Sequence, residues 1–307
     1  MIKQITLAES KSIWEKAYRE NSLHVPFLTH AWHVDWSGVF GDEYTPMYLV
    51  VDDHIIAPFV VKDGIARFSG GEEGADYLDV IGPENLKESA WPQILGFLKE
   101  HSMSSLLLRN LPENSPTISF FRKNPSAKIE KEDSTPHFPL PATWEAYVES
   151  LDRKSRHELE RKIRKFEREH IDAQINESTN PARDIEILLE LMAKDPEKKI
   201  FLTPQMQTFF RQIAKTQADK ISLLSITMGD KKAAATLSFV EDTITYLYNS
   251  GFDRECCANA GFYLKAMSIK MAIEKHLSIY NFLQGQERYK YELGGKDFLI
   301  YQISLTL

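Results

Sequence analysis

The stretch from residue 221 to 284 constrains the fold most. Three β-type runs, ISLLSIT from Ile221, AAATLSFV from Ala233 and TITYLYN from Thr243, are separated by turn residues. Gly229-Asp230 and Glu241-Asp242 supply those turns, so the spacing predicts an antiparallel meander over 221–227, 233–240 and 243–249. A segment that is apolar on most sides follows, over roughly 261–275, and reads as a buried helix. One more strand, SIYNFLQ, is expected near 278–284. A meander followed by a helical crossover requires a mixed sheet, with a parallel pair where the helix returns the chain.

The preceding segments read as helices. Apolar stripes fall at Leu159/Ile163/Phe166, Ile185/Leu188/Leu189/Met192 and Met206/Phe209/Phe210/Ile213, and Thr203-Pro204 suits a cap and first turn. After the sheet come a short helical piece, ERYKYEL, and a strand, FLIYQISLTL, which is expected to complete the same domain. The N-terminal half repeats the theme. Two helices, around Trp14 and from Thr29 to Phe40, precede strands at Met47 and His54 joined by the turn pair Asp52-Asp53. A helix from about Leu86 to Glu100 then leads into SLLLRNL. Residues 111–143 are rich in Pro, Ser and Asn, which marks a boundary. The expectation is an α/β (α+β) chain of two domains, 1–135 and 136–307, each a mixed, mostly antiparallel sheet flanked by helices.

Composition narrows the function classes. A net charge of −7 argues against nucleic acid as a bulk electrostatic partner. The opening residues mix charges and lack a secretory apolar region, and no run of 18 uncharged apolar residues occurs, so a cytoplasmic protein without a transmembrane segment is expected. The two cysteines, Cys256 and Cys257, are adjacent; a disulfide between them would be strained, and metal-ligand spacing is missing. No metal site is expected.

Three stretches could carry chemistry. The turn RECCANAGFYLK, residues 254–265, leads into a helix whose first N–H groups suit a pyrophosphate, and Asn259, Ala260 and Gly261 are small enough to admit phosphate oxygens. NFLQGQERYK offers Tyr289 as a proton donor and Lys290 as a positive charge. The segment 153–170 gathers eight basic residues on one predicted helix, either as an anion-binding face or as a solvated face laced with pairs such as Glu158–Lys162 and Glu160–Arg164. The carboxylates Glu72, Glu73, Asp76 and Asp79 lie in a glycine-rich stretch without calcium-loop spacing, read as a solvated or substrate-facing loop.

These motifs together resemble the GNAT-like acetyltransferases of the CelD/BcsL family, related to the FemAB aminoacyltransferases. The basic helix, YLYNSGFD with the turn into Gly261, and NFLQGQERYK carry the likeness, and PFLTHAWHVDWSGVFG and GADYLDV extend it into the N-terminal half. The resemblance implies tandem GNAT-like domains, with an acyl-CoA donor site in the second and the first as scaffold and acceptor side. It implies that Asn259, Ala260, Gly261 and Phe262 face the donor pyrophosphate. Tyr289 would protonate the leaving thiolate, Lys290 would neutralise charge, and backbone N–H groups near Tyr248 and Asn249 would polarise the thioester carbonyl. The implied acceptor is an amine or hydroxyl of a sugar, an amino compound or an envelope precursor. An aminoacyl-tRNA-dependent transferase and a non-catalytic scaffold in polysaccharide biosynthesis or export are the alternatives. Asn281 stands where the family pattern has Asp, and the phosphate turn lacks the glycine-rich form.

Overall fold

The computed structural model describes residues 1–307 except Glu73, and divides the chain into two compact units, Met1–Ser134 with Phe298–Leu307, and Thr135–Asp297. The chain therefore passes between units twice, at 134/135 and at 297/298.

The first unit runs β1 (Ile2–Ile5), α1 (Leu7–Arg19), α2 (His30–Phe40), β2 (Thr45–Val51), β3 (Ile55–Lys62), β4 (Ile65–Phe68), α3 (Glu84–Glu100), β5 (Ser105–Pro112), α4 (Pro116–Arg122) and β6 (Lys128–Ser134). Local chemistry explains the helix starts. Thr6 and Glu9 form a reciprocal capping box on α1, and the Thr29 hydroxyl accepts from Trp32 N at the start of α2. Asp52 and Asp53, both at positive φ, turn β2 back onto β3. Strands β2, β3 and β4 form a meander, α3 crosses over, and β5 returns parallel to β4.

The second unit runs β7 (His137–Pro139), α5 (Trp144–Ser150), α6 (Arg153–Glu169), β8 (Gln174–Glu177), α7 (Pro181–Met192), α8 (Pro196–Phe201), α9 (Pro204–Thr216), β9 (Ile221–Met228), β10 (Lys231–Glu241), β11 (Ile244–Phe252), α10 (Ala260–Glu274), β12 (Ile279–Asn281) and α11 (Arg288–Glu292). Its sheet has the order β7-β12-β11-β10-β9-β8, with β11 and β12 as the parallel pair. The predicted meander, crossover helix and returning strand are all present. Two neighbouring residues of β11 show how the sheet is covered on both faces, because successive side chains point opposite ways. The Phe252 ring meets Gly261 of α10, while a Cβ on Gly251 would come within 2.4 Å of Met192 N. Only glycine lets the end of α7 lie that close to the strand.

One strand lies elsewhere than expected. The terminal strand β13 (Leu299–Thr306) does not finish the second sheet; it inserts between β5 and β6 in the first, whose order is β1-β2-β3-β4-β5-β13-β6. Its alternation and β-branched residues fit either sheet, and only register with partners far away in sequence decides. The carboxylate stretch also differs from a solvated loop. Asp79 is buried, accepting from the Ser115 and Thr117 hydroxyls at 2.7 and 2.6 Å, with Lys87 at 3.4 Å. Glu72 is partly buried beside Arg109; Glu73 lies outside the described residues.

Candidate functional site

Strands β11 and β12 pair over only three positions, Ile244–Ile279, Thr245–Tyr280 and Tyr246–Asn281. Beyond them β11 continues to Phe252, while Phe282 N turns to the other side and donates to Pro136 O. The parallel pair thus opens at its carboxyl end, the end from which α10 departs. On its other edge β11 carries a bulge. Leu237 pairs with Asn249 and Ser238 with Leu247, so Tyr248 is the extra residue of the bulge, outside the register. A bulge takes a backbone group out of the ladder and re-aims it. The Tyr248 ring is anchored between Phe210 and Phe239, which fixes the bulge in place.

The turn into α10 is built by Asp253. Its carboxylate accepts from Glu255 N and Cys256 N and pairs with Lys194 at 2.7 Å, and the Lys194 bond holds its pKa below the usual carboxylate range. Asn259 adopts the left-handed conformation at φ 69° and α10 begins at Ala260, whose N–H donates to Cys257 O at 3.4 Å, leaving the Gly261 and Phe262 amides of the first turn at the opening. The side chains predicted to face a phosphate are otherwise engaged. Ala260 is buried in the core with Phe166 and Leu264, and the Phe262 ring lies under Lys162 Nζ at 3.9 Å. A Cβ on Gly261 would meet the Phe252 ring at 2.8 Å. The glycine therefore serves the approach of helix to strand.

Across the opening, the Asn281 side chain accepts from Leu283 N at 2.8 Å and sets the turn after β12, where Leu283 has φ 59°. Tyr289 on α11 is mostly buried, and its hydroxyl makes no hydrogen bond to another described residue. Burial, then the charge of Glu287, pushes its pKa well up, so it keeps its proton at neutral pH. Lys290 is only 1% exposed, and its ammonium donates to Leu283 O at 3.0 Å and Gln284 O at 2.5 Å, with Glu287 at 2.9 Å. Three donors with three partners make it the clamp of the β12–α11 loop, reaching a ligand mainly through its field.

Two lysines at the opening were not singled out from the sequence. Lys265, one turn beyond Gly261, is 4% exposed; its hydrogen bond is a long one, 3.4 Å, to Gly261 O, and its Nζ lies 4.6 Å from the Tyr289 ring centre. Burial, then the charge of Lys198, pulls its pKa down to about 7, against a smaller upward pull from Glu287. Lys198 on α8 donates to Ser250 O near the end of β11, and burial lowers its pKa also. The signal for Lys265 was there: a helix apolar on most sides has no solvated face for a lysine. Lys198 had none, since its burial comes from a short helix unmarked by periodicity.

The basic helix α6 is largely self-neutralised. Glu158 pairs with Arg161 and Lys162, Glu160 with Arg164, and Glu169 with Lys165 and Arg168. Its first turn borders a cavity of 760 Å³ with Arg288 and Tyr291 of α11. Both cysteines are free, and burial raises the Cys257 thiol to about 11. Among the described residues, no group of three or more His, Cys, Asp or Glu is placed to hold a metal ion, and no helix is long and apolar enough to cross a membrane.

Residues 153–291 match the acetyltransferase (GNAT) domain family. No curated protein matches the chain. Among solved structures, a Bacteroides thetaiotaomicron protein described as conserved and of unknown function superposes with a TM-score of 0.66 at 12% identity, covering 100% of this chain and 99% of that one. FemX superposes at 0.64 with 11% identity, covering 100% and 97%. A tandem GNAT protein from the clavulanic acid biosynthesis pathway superposes at 0.56 with 10% identity, covering 99% and 97%. At such identities the likeness is one of fold. The short parallel pair, the bulge at Tyr248 and the match over 153–291 lead to one conclusion: this chain has the fold of tandem GNAT proteins, and residues 153–291 of its second unit match an acetyltransferase (GNAT) domain.

Proposed function

We propose that the second unit transfers an acyl group, acetyl being the simplest, from acyl-CoA to an amine or hydroxyl of a small molecule, sugar or envelope precursor, with the first unit as scaffold and acceptor side. The observation that carries this reading is the opening between β11 and β12, with a bulge at Tyr248 on one wall and the proton-bearing Tyr289 on the other. An extended pantetheine chain can take the place of the missing strand pairing beyond Tyr246. The donor diphosphate would then meet the first-turn amides of α10 at Gly261 and Phe262, beyond Asn259 and Ala260 of the turn.

The chemistry follows from these positions. Backbone N–H groups at Tyr248 and Asn249 polarise the thioester carbonyl and stabilise the oxyanion formed on attack. The acceptor nitrogen or oxygen forms its bond to the acyl carbon, the C–S bond breaks, Tyr289 gives its proton to the departing thiolate, and the proton shed by the acceptor passes through solvent to restore the tyrosine. Lys290 contributes positive charge while holding the loop that carries Tyr289.

The test is release of free thiol from acetyl-CoA by the full chain against a panel of amines and sugars, beside calorimetric titration of CoA. Binding with turnover on any acceptor supports the reading. Absence of CoA binding sinks it, and consumption of an aminoacyl-tRNA in place of acetyl-CoA replaces it with aminoacyl transfer.

A further inference from the structure

We propose that Lys198, Lys265 and Lys290 form an anion site at the opening between β11 and β12, taking a carboxylate or phosphate group of the molecule bound there. The inference deepens the reading above, since it concerns what the same opening accepts. It stands on its own observations and is read without acyl transfer.

The three ammonium groups come from three elements. Lys198 reaches Ser250 O on the β11 side, Lys290 holds Leu283 O and Gln284 O on the β12 side, and Lys265 rises from α10 between them. Lys265 and Lys290 are at least nine-tenths buried, and Lys198 is largely so. The carboxylates do not balance them. Glu287 pairs with Lys290 and is more than half exposed, and Asp195 pairs with Arg254. Among the described residues, neither Lys198 nor Lys265 has a carboxylate within ion-pair distance. Lys265 instead has the faces of Tyr289 and Phe252 and one long bond to its own helix.

A buried cation without a counter-charge is destabilising, and an apolar side chain at 265 would remove the cost. Placing such a cation at the mouth of the opening, with two more beside it, makes sense when an anion completes the set. The lowered pKa of Lys265 agrees, because burial and, after it, the charge of Lys198 favour loss of its proton until an anion arrives. Binding should therefore draw a proton onto Lys265 at neutral pH. The turn before α10 is poor in glycine, so these side chains supply the positive charge that a glycine-rich amide cradle would.

The experiment uses the full chain with lysine side chains isotope-labelled for NMR, titrated with inorganic pyrophosphate and, separately, with succinate. Calorimetry in two buffers of different ionisation heat reads the proton. The expected result is binding of at least one probe with shifts at Lys265 and Lys198, uptake of a proton, and at least tenfold weaker binding in Lys265→Met. Tighter pyrophosphate assigns the site to a phosphate, and tighter succinate to a carboxylate. Lys198→Met should weaken binding similarly, and Lys275→Met, on the exposed end of α10, should not. Thermal unfolding of each variant checks that it folds. Neither probe binding at millimolar concentration, or unchanged affinity in both Lys265→Met and Lys198→Met, overturns the proposal. Acyl transfer without anion binding would leave the function standing and remove this site; anion binding without transfer would do the reverse.

Discussion

The two units repeat one plan, a meander, a crossover helix and a parallel return strand, and they treat the gap between the parallel strands in opposite ways. In the first unit β4 stops at Phe68 and pairs with β5 only over Ile65–Ser105, Ala66–Leu106 and Arg67–Leu107. The chain then closes its own gap: Asn110 on β5 donates to Glu72 O and Ala75 O, Leu78 N donates to Asn110 O, and Tyr77, Leu78, Val80 and Ile81 are buried. In the second unit the loop after β11 is polar and leaves the opening with Tyr289 and its lysines. The crossover helices differ likewise. Lys87 on α3 is buried but neutralised by Asp79 and by Glu84 at 2.8 Å, whereas Lys265 on α10 is buried with no such partner. The same architecture thus yields one unit whose gap is closed and whose buried crossover lysine is ion-paired, and one whose buried crossover lysine is not.

The sharpest break would be stoichiometric. Equilibrium dialysis should find one CoA site per chain; two equivalent sites would erase the contrast. Next comes the Lys87 pair. Asp79→Ala removes the buried one of the two carboxylates beside Lys87 and leaves the Ser115 and Thr117 hydroxyls without their acceptor, and should lower the unfolding free energy by about 3–5 kcal/mol in denaturant titration. A loss under about 1 kcal/mol would mean the first unit is not held closed by this network.

For the open unit, Tyr289→Phe should lower kcat by about tenfold to a hundredfold with little change in donor affinity. Full turnover would remove Tyr289 from the chemistry. A smaller effect concerns Lys265. Its folded pKa of about 7 lies below the ordinary 10.5, so between these values the unfolded chain holds a proton the folded chain has lost. Stability contributed at this site therefore rises with pH across that window, with a slope of up to about 1.4 kcal/mol per pH unit. The excess stability of Lys265→Met over the wild type should shrink accordingly from neutral to alkaline pH, and a pH-independent difference would contradict the buried, unpaired cation. Least affected should be Glu84→Gln. Its carboxylate is one-third exposed and Asp79 remains, so a cost below about 1 kcal/mol is expected in the same titration. A larger cost would mean that Glu84, and not Asp79, is the partner that matters.

The sequence determined the local elements of this protein. Period-two runs with turn pairs marked β9, β10 and β11, apolar stripes marked α6, α7 and α9, and Thr29 and Thr203 marked helix starts, because each depends on residues within one or two turns of one another. The family resemblance pointed to Tyr248, Gly261 and Tyr289 as members of one site. Tertiary structure decided the rest. Strand β13 carries an alternation that either sheet could accept, and its place between β5 and β6 comes from partners more than 160 positions away. The stretch around Asp79 reads as a polar loop until Ser115, Thr117 and Lys87 enclose its carboxylate. Lys198, Lys265 and Lys290 are ordinary lysines along the chain. What makes them a charged cluster is burial without sufficient counter-charge, a property of the assembled unit, since desolvation and Coulomb repulsion depend on distances that the sequence does not contain.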